Sequence, residues 1–206
     1  MDKKSENKEG SSTINNILYC AKAEFLKKGF NDSSLRNIAK QARVTTGAIY
    51  GYFKDKDDLF VRLVKDVVDG LYNLIEEIEG KDSNIYNKNL KLKKTIFTTK
   101  ENHIKYIDYL YDNFEVSKLL IMCSNGSSME NCIDILIDKT LKENEEFIRF
   151  VNETSDIDEF TIHVIVEFYF KAVTEFIKQD VPYEIALKQF NNINSFFFAG
   201  WNELMK

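Results

Sequence analysis

The sequence predicts an all-α protein, and three observations carry that prediction. Apolar residues recur at helical spacing along nearly the whole chain. One proline, Pro182, and eight glycines in 206 residues are too few turn formers for a many-stranded architecture. Hydrophobic residues make up 44%, a globular composition that can bury a sizeable core.

The elements follow in order. The opening "MDKKSENKEGSST" is polar and lacks the apolar stretch of a secretory signal, so residues 1–12 are expected to form a flexible arm. Ile14, Ile17, Leu18, Ala21 and Phe25 then make one helical stripe, which Gly29 ends. Ser33 or Ser34 offers an N-cap for a short second helix over 34–42, with Leu35, Ile38, Ala39 and Ala42 inward. Thr45 caps a third helix that reaches about Phe53. Asp55 caps a fourth, which carries Leu59, Leu63, Val67, Leu71, Leu74 and Ile78 on one side. A polar connector, "GKDSNIYNKN", starts at Gly80. Further helices are expected at about 90–99, 101–113 and 115–123, ending at the break "SNGSS" (124–128). Residues 129–152 read as one long helix, and "ETSDIDE" (153–159) as a second break. Segments 160–178 and 183–206 are the last two helices, with Pro182 where its missing N–H does no harm.

The net charge of −5 is unevenly spread. Residues 1–62 hold twelve bases and eight acids, a net +4, which leaves −9 on the remainder. A basic head on an acidic body points to an anionic partner for the head. No apolar run reaches the length of a membrane span. Cys20, Cys123 and Cys132 show no C-x-x-C spacing and no histidine neighbours, so they read as buried thiols of a reducing cytoplasm. His163 and Glu167 share a helix face, but no third ligand accompanies them, and neither a metal nor another cofactor is expected. A Gly-rich phosphate loop, a nucleophile elbow and a catalytic triad are all lacking, which argues against a helical enzyme.

The stretch "RVTTGAIYGYFKDKDDLF" (43–60) is a poor helix by propensity, since glycine costs about 1 kcal/mol relative to alanine. Its place explains its composition. Three short helices, the second and third joined by a tight turn at "ARV", make a helix-turn-helix unit. The recognition helix of such a unit brings its N-terminal residues to base edges in the major groove. Thr45, Thr46 and Gly47 are small enough for close approach, and a helix N-terminus offers N–H groups to phosphate. Tyr50 and Tyr52 carry hydroxyls on rigid rings, and Lys54 and Lys56 add charge beside the backbone. Phe53 and Leu59 supply the anchorage. The competing reading is a protein–protein module in which 34–56 is a packing surface.

On these residues, the stretch from about 14 to 63 resembles the DNA-binding domain of the TetR family of bacterial transcriptional regulators. The matching pieces are "AKAEFLKKGF" (21–30) and "SLRNIAKQARVTTGAIYGYFKDKDDLF" (34–60), while "FFFAGWNEL" (196–204) is similar to the last dimerisation helix of many members. The resemblance implies a helix-turn-helix domain over 13–60 and an effector-binding and dimerisation domain over 61–206. It implies a homodimeric, ligand-responsive regulator, expected to be a repressor, on a palindromic DNA operator. The candidate DNA contacts are Ser34, Arg36, Arg43, Thr45, Thr46, Gly47, Tyr50, Tyr52, Lys54 and Lys56. One position departs from the family: the turn residue usually held by glycine is Arg43 here. If that position needs φ > 0, a side chain there costs roughly 1 kcal/mol.

The body is rich in aromatic residues, which suits a pocket for a hydrophobic or aromatic small molecule. His103, Tyr106, Phe114, Met122, Phe147 and Tyr169 are the candidate lining, among rings that are mostly ordinary core. The last two helices are apolar nearly all round, which favours burial against a second copy. Phe168, Ala172, Phe176, Phe190, Ile193, Phe197 and Trp201 are the candidate dimer contacts, in an intersubunit four-helix bundle.

Overall fold

The structure, a computed structural model, describes residues 3–82, 100–154 and 157–204. Helices are the only regular elements among the described residues, as expected. The chain forms two compact units: one takes in Met1–Val67 and Glu115–Asn131, the other Val68–Phe114 and Cys132–Lys206. The first unit therefore ends a few residues beyond the expected boundary at 60/61, and it includes a segment that the sequence places in the body.

In the first unit, α1 (Lys3–Asp32), α2 (Leu35–Ala42) and α3 (Thr46–Tyr50) precede α4 (Lys56–Asp82), which continues into the second unit. Where the sequence suggests a polar arm over 1–12, the helix already runs from Lys3. Lysine and glutamate, frequent there, are good helix formers even without apolar neighbours. Gly29 interrupts α1 at φ 74° and ψ 172°, a conformation essentially confined to glycine. That kink turns Phe30 inward, where it meets Phe25 and Phe60 at centroid distances of 5.9 and 5.4 Å, while Phe25 and Phe60 meet edge-on at 5.1 Å. All three rings are buried, and Ile17, Ala21, Ile38, Ile49 and Leu59 share this unit's core.

The returning segment begins with α6 (Phe114–Met122) and ends in the loop that holds "SNGSS". The loop is a break in helix, as expected, but its hydroxyls are tied down. Ser124 Oγ donates to the Leu120 carbonyl at 2.7 Å and Ser127 Oγ to the Ser124 carbonyl at 2.6 Å. The Phe30 N–H donates to the Cys123 carbonyl at 2.8 Å, and the Ser128 N–H to Asp57 Oδ1 at 2.8 Å. Lys22 and Glu115 form an ion pair.

The second unit holds the rest of α4 with α5 (Lys100–Asp112), α7 (Cys132–Glu143), α8 (Glu145–Thr154), α9 (Glu159–Lys178) and α10 (Tyr183–Leu204). The long helix expected over 129–152 is divided at Asn144. The Asn144 side chain is buried and donates back to the Thr140 carbonyl at 2.8 Å, while its N–H reaches Leu141 at 3.1 Å in a tight turn. The helix expected at about 90–99 lies outside the described residues. Tyr111 and Tyr183 fasten the ends of α5 and α10, donating to the Val181 carbonyl at 2.7 Å and to Asp108 Oδ1 at 2.8 Å. Gly70 lets the Tyr109 ring sit directly on α4, since a Cβ there would fall 1.8 Å from the tyrosine oxygen.

Candidate nucleic-acid interface

The turn between α2 and α3 is built from backbone hydrogen bonds. The Val44 N–H reaches back to the Ala39 carbonyl at 3.0 Å and the Arg43 N–H to Lys40 at 3.3 Å. This is the Schellman closure of a helix, which requires a left-handed residue at its centre. Arg43 fills that place at φ 56° and ψ 39°. The glycine-like conformation is therefore present without the glycine, at a cost of roughly 1–2 kcal/mol. Thr45 then caps α3, its Oγ1 accepting from the Ala48 N–H at 3.1 Å. One of the free N–H groups of the helix start is thus used internally. α3 has only five residues, and Ile49 alone among them is buried.

The side chains around this turn face solvent. Arg36, Arg43, Thr45, Gly47, Tyr50, Tyr52 and Lys54 are exposed, and Ser34 and Thr46 half-buried. Tyr50 and Tyr52 keep 57% and 43% of their surface free, which separates them from Phe53, buried as an anchor. Ser34 occupies the N-cap of α2 without a side-chain cap bond. Lys40, exposed in the last turn of α2, joins this face although the candidate contacts omit it. The spacing 36, 40, 43 was a legible signal, because i, i+4 and i+7 lie on one side of a helix.

Lys56, among the candidate contacts, has partners that the sequence does not reveal. Its ammonium donates to the carbonyls of Phe30 at 2.6 Å, Asn31 at 3.2 Å and Ser33 at 3.2 Å, and it lies 4.3 Å from the Phe30 ring centroid. Burial pushes its pKa down, with nearby Asp32 acting in the opposite direction. An ammonium has three protons, and here its partners are two carbonyls at the end of α1 and that of Ser33 just beyond it. Lys56 therefore joins α4 to the α1–α2 junction.

A second polar cluster lies between α1 and α2. Glu24 is 3% exposed. Its Oε1 accepts from Asn37 Nδ2 at 3.2 Å and its Oε2 from Gln41 Nε2 at 3.0 Å, and Lys28 Nζ sits 2.9 Å from Oε1. Burial acts to raise the carboxyl pKa, but the hydrogen bonds from Lys28, Asn37 and Gln41 outweigh it and hold the group below its ordinary value. Asn16 Nδ2 adds a bond to the Ala42 carbonyl at 2.8 Å.

The candidate effector residues are not gathered into one site. The side chains of His103 and Phe147 lie outside the described residues. Tyr106 and Phe114 are half-buried, with Phe114 against Tyr111 at 5.4 Å. Met122 is 48% exposed and belongs to the first unit. Tyr169 is buried among the rings of Phe170, Phe190 and Phe197. A cleft of about 520 Å³ does open between α7, α8 and α9, but among the described candidates Tyr106, Phe114, Met122 and Tyr169 do not line it. Leu141 and Ile148 contribute apolar surface there, and Lys142, Glu145, Arg149 and His163 set charged and polar groups around it.

The dimer candidates divide as well. Phe176, Phe190 and Trp201 are buried in the core of their own unit and are not available to a partner. Ala172, Ile193 and Phe197 are half-buried. Phe168 stands out at 63%, and Phe160 and Phe196, absent from the candidates, at 73% and 75%. An apolar circumference favours burial on more than one side, and one of those sides, with Phe176, Phe190 and Trp201, faces the unit's own core.

Comparison with known proteins agrees with this geometry. The family model described as "Bacterial regulatory proteins, tetR family" matches residues 17–63. Over 56 residues the chain is 45% identical to the HTH-type transcriptional repressor BepR of Brucella suis, covering 27% of each chain. Over 52 residues it is 50% identical to the HTH-type transcriptional regulator AcrR of Shigella flexneri, covering 25% of this chain and 24% of that one. These matches span about a quarter of the relatives' length. Across the whole fold, the transcriptional regulator FadR from Bacillus subtilis, solved in complex with stearoyl-CoA, superposes with a TM-score of 0.56 at 19% identity, covering 90% of this chain and 97% of that one. A TetR-family regulator structure from Syntrophomonas wolfei gives 0.57 at 17% identity, with 92% and 96% covered.

Two outcomes follow from the turn and the lysine. Arg43→Gly should raise stability in urea unfolding by about 1 kcal/mol, because it relieves the left-handed side chain; Arg43→Ala keeps the strain and should not. Lys56→Ala should lower stability by about 1–3 kcal/mol by leaving carbonyls unpaired and leave the salt dependence of duplex binding unchanged. Lys54→Ala should do the reverse, reducing the salt slope by about 1.

Proposed function

We propose that this chain, which belongs to the TetR family of bacterial regulatory proteins, is a ligand-responsive transcriptional repressor that binds a palindromic DNA operator as a homodimer in the cytoplasm. The observation that carries this reading is the exposed face of the helix-turn-helix. Arg36, Lys40 and Arg43 on the α2 side, with Tyr50 at the end of α3 and Tyr52 and Lys54 beyond it, offer charge and hydroxyls to phosphate. Thr46 and Gly47 leave room for the backbone of α3 to approach base edges. Their packing partners, Ile38, Ile49 and Phe53, are buried, so the face stays rigid while remaining open.

For response to a ligand, the support is the course of the chain. Glu115–Asn131 belongs to the first unit, yet residues on both sides of it belong to the second. A molecule that favours one arrangement of α5 and α7 acts along a continuous backbone on the loop that holds Phe30 and Asp57. A hydrophobic or aromatic molecule remains the proposed effector, and the neighbour that carries stearoyl-CoA fits a ligand with a large apolar part. For the homodimer, the support is the outward rings of Phe168 on α9 and Phe196 on α10, with Gly200 open to close approach.

Binding to the intergenic DNA upstream of its own gene should be tight and should weaken steeply as salt rises; salt-independent or absent binding sinks the regulator reading. Tyr52→Ala should weaken all duplexes alike, whereas Thr46→Ala should change sequence preference. In sedimentation, Phe196→Arg should give a folded monomer. A persisting dimer would move the interface away from this ring.

A further inference from the structure

Glu24 is unexpected in the interior of the first unit. A buried carboxylate carries a desolvation penalty that only good geometry and further hydrogen bonds offset. The geometry here is specific in another respect. Asn37 and Gln41 are one turn apart on the same side of α2, and each donates to a different oxygen of the same carboxylate. Such a two-point hold fixes both the rotation of α2 about its axis and its position along α1. Apolar contacts between Ile38, Ala39 and α1 tolerate sliding far better, because they have no direction. Lys28 completes the charge from α1 itself, and Asn16 secures the far end of α2 at Ala42.

We propose that Glu24 is a positioning residue for DNA recognition: by clamping α2 through Asn37 and Gln41, it sets the angle at which α3 meets the groove. α3 inherits its pose from α2, because it has five residues, a single buried side chain and a three-residue link. The inference rests on the DNA-binding reading above. It assigns no contact with DNA to Glu24, which lies on the inner side of α2.

The test uses the full chain and a duplex enriched from a random library by the wild-type protein, compared with a scrambled duplex of the same composition. Glu24→Leu should stay folded, checked by a cooperative melt, with a melting temperature lowered by the loss of three donors' acceptor. Its preference for the enriched duplex should fall by about tenfold or more, the scale of one lost base contact, with binding to the scrambled duplex unaltered. Glu24→Gln should keep most of the preference, since Asn37 or Gln41 can turn its amide to restore a bond. If Glu24→Leu does not fold, the double variant Asn37→Ala/Gln41→Ala removes the clamp from the other side and should show the same loss. An unchanged preference in either variant overturns the proposal. Failure of the wild-type chain to enrich any duplex is a different result and removes the DNA-binding reading itself.

Discussion

The three hydrogen bonds of the Lys56 ammonium hold the geometry on which the first unit depends. A five-residue helix such as α3 is far below the length at which a helix persists by itself. Its position must come from elements around it. Lys56, at the start of α4, closes the last carbonyls of α1 and thereby fixes the junction that leads into α2. The Phe25, Phe30 and Phe60 rings fill the space beneath, and the kink at Gly29 brings Phe30 to them. Cation, rings and kink act on the same few residues, so none can be moved without the others.

Much of the fold was legible because periodicity reports burial directly. The stripes of α1 and α4, the caps at Ser34 and Thr45 and the glycine stop at Gly29 all follow from spacing and turn chemistry. What was not legible has particular causes. Asn144 divides α7 from α8 through a side chain that bonds its own backbone, and asparagine in a polar helix gives little warning of that. Lys56 looked like a phosphate ligand because a lysine at a helix start beside a basic stretch has no visible partner in sequence. Its partners are carbonyls about 25 residues away. Phe176, Phe190 and Trp201 looked like interface because an apolar position gives its burial but not which side of the helix meets a second copy. The exposed face was read more reliably, since Tyr50 and Tyr52 beside two glycines make little sense as core.

The first unit shows a division of labour between apolar and polar contacts. Phe25, Ile38, Ile49 and Phe60 provide burial, which is strong but without direction. Lys56, Glu24 and Asn16 provide direction, each by placing one polar group against two or more backbone or amide partners from another element, or against a single carbonyl at a helix end. A regulator that must discriminate among duplexes needs the second kind as much as the first. On the proposed reading, an error of a few degrees in α3 would move every base contact at once.

Arg43 shows how that balance is struck at a single residue. Glycine would relax the turn, yet it would leave the corner of the helix-turn-helix without charge. Arginine costs roughly 1–2 kcal/mol in backbone strain. A proposed contact of Arg43 with a phosphate would gain a comparable amount, because charge-assisted hydrogen bonds contribute about 1.5–3 kcal/mol. The strain exists in the free protein, whereas a gain of that kind would come only on DNA. With the proposed contact, the exchange would move free energy from folding to binding. It is tolerable because the rest of the unit is held by Lys56 and the aromatic cluster, which do not depend on the turn.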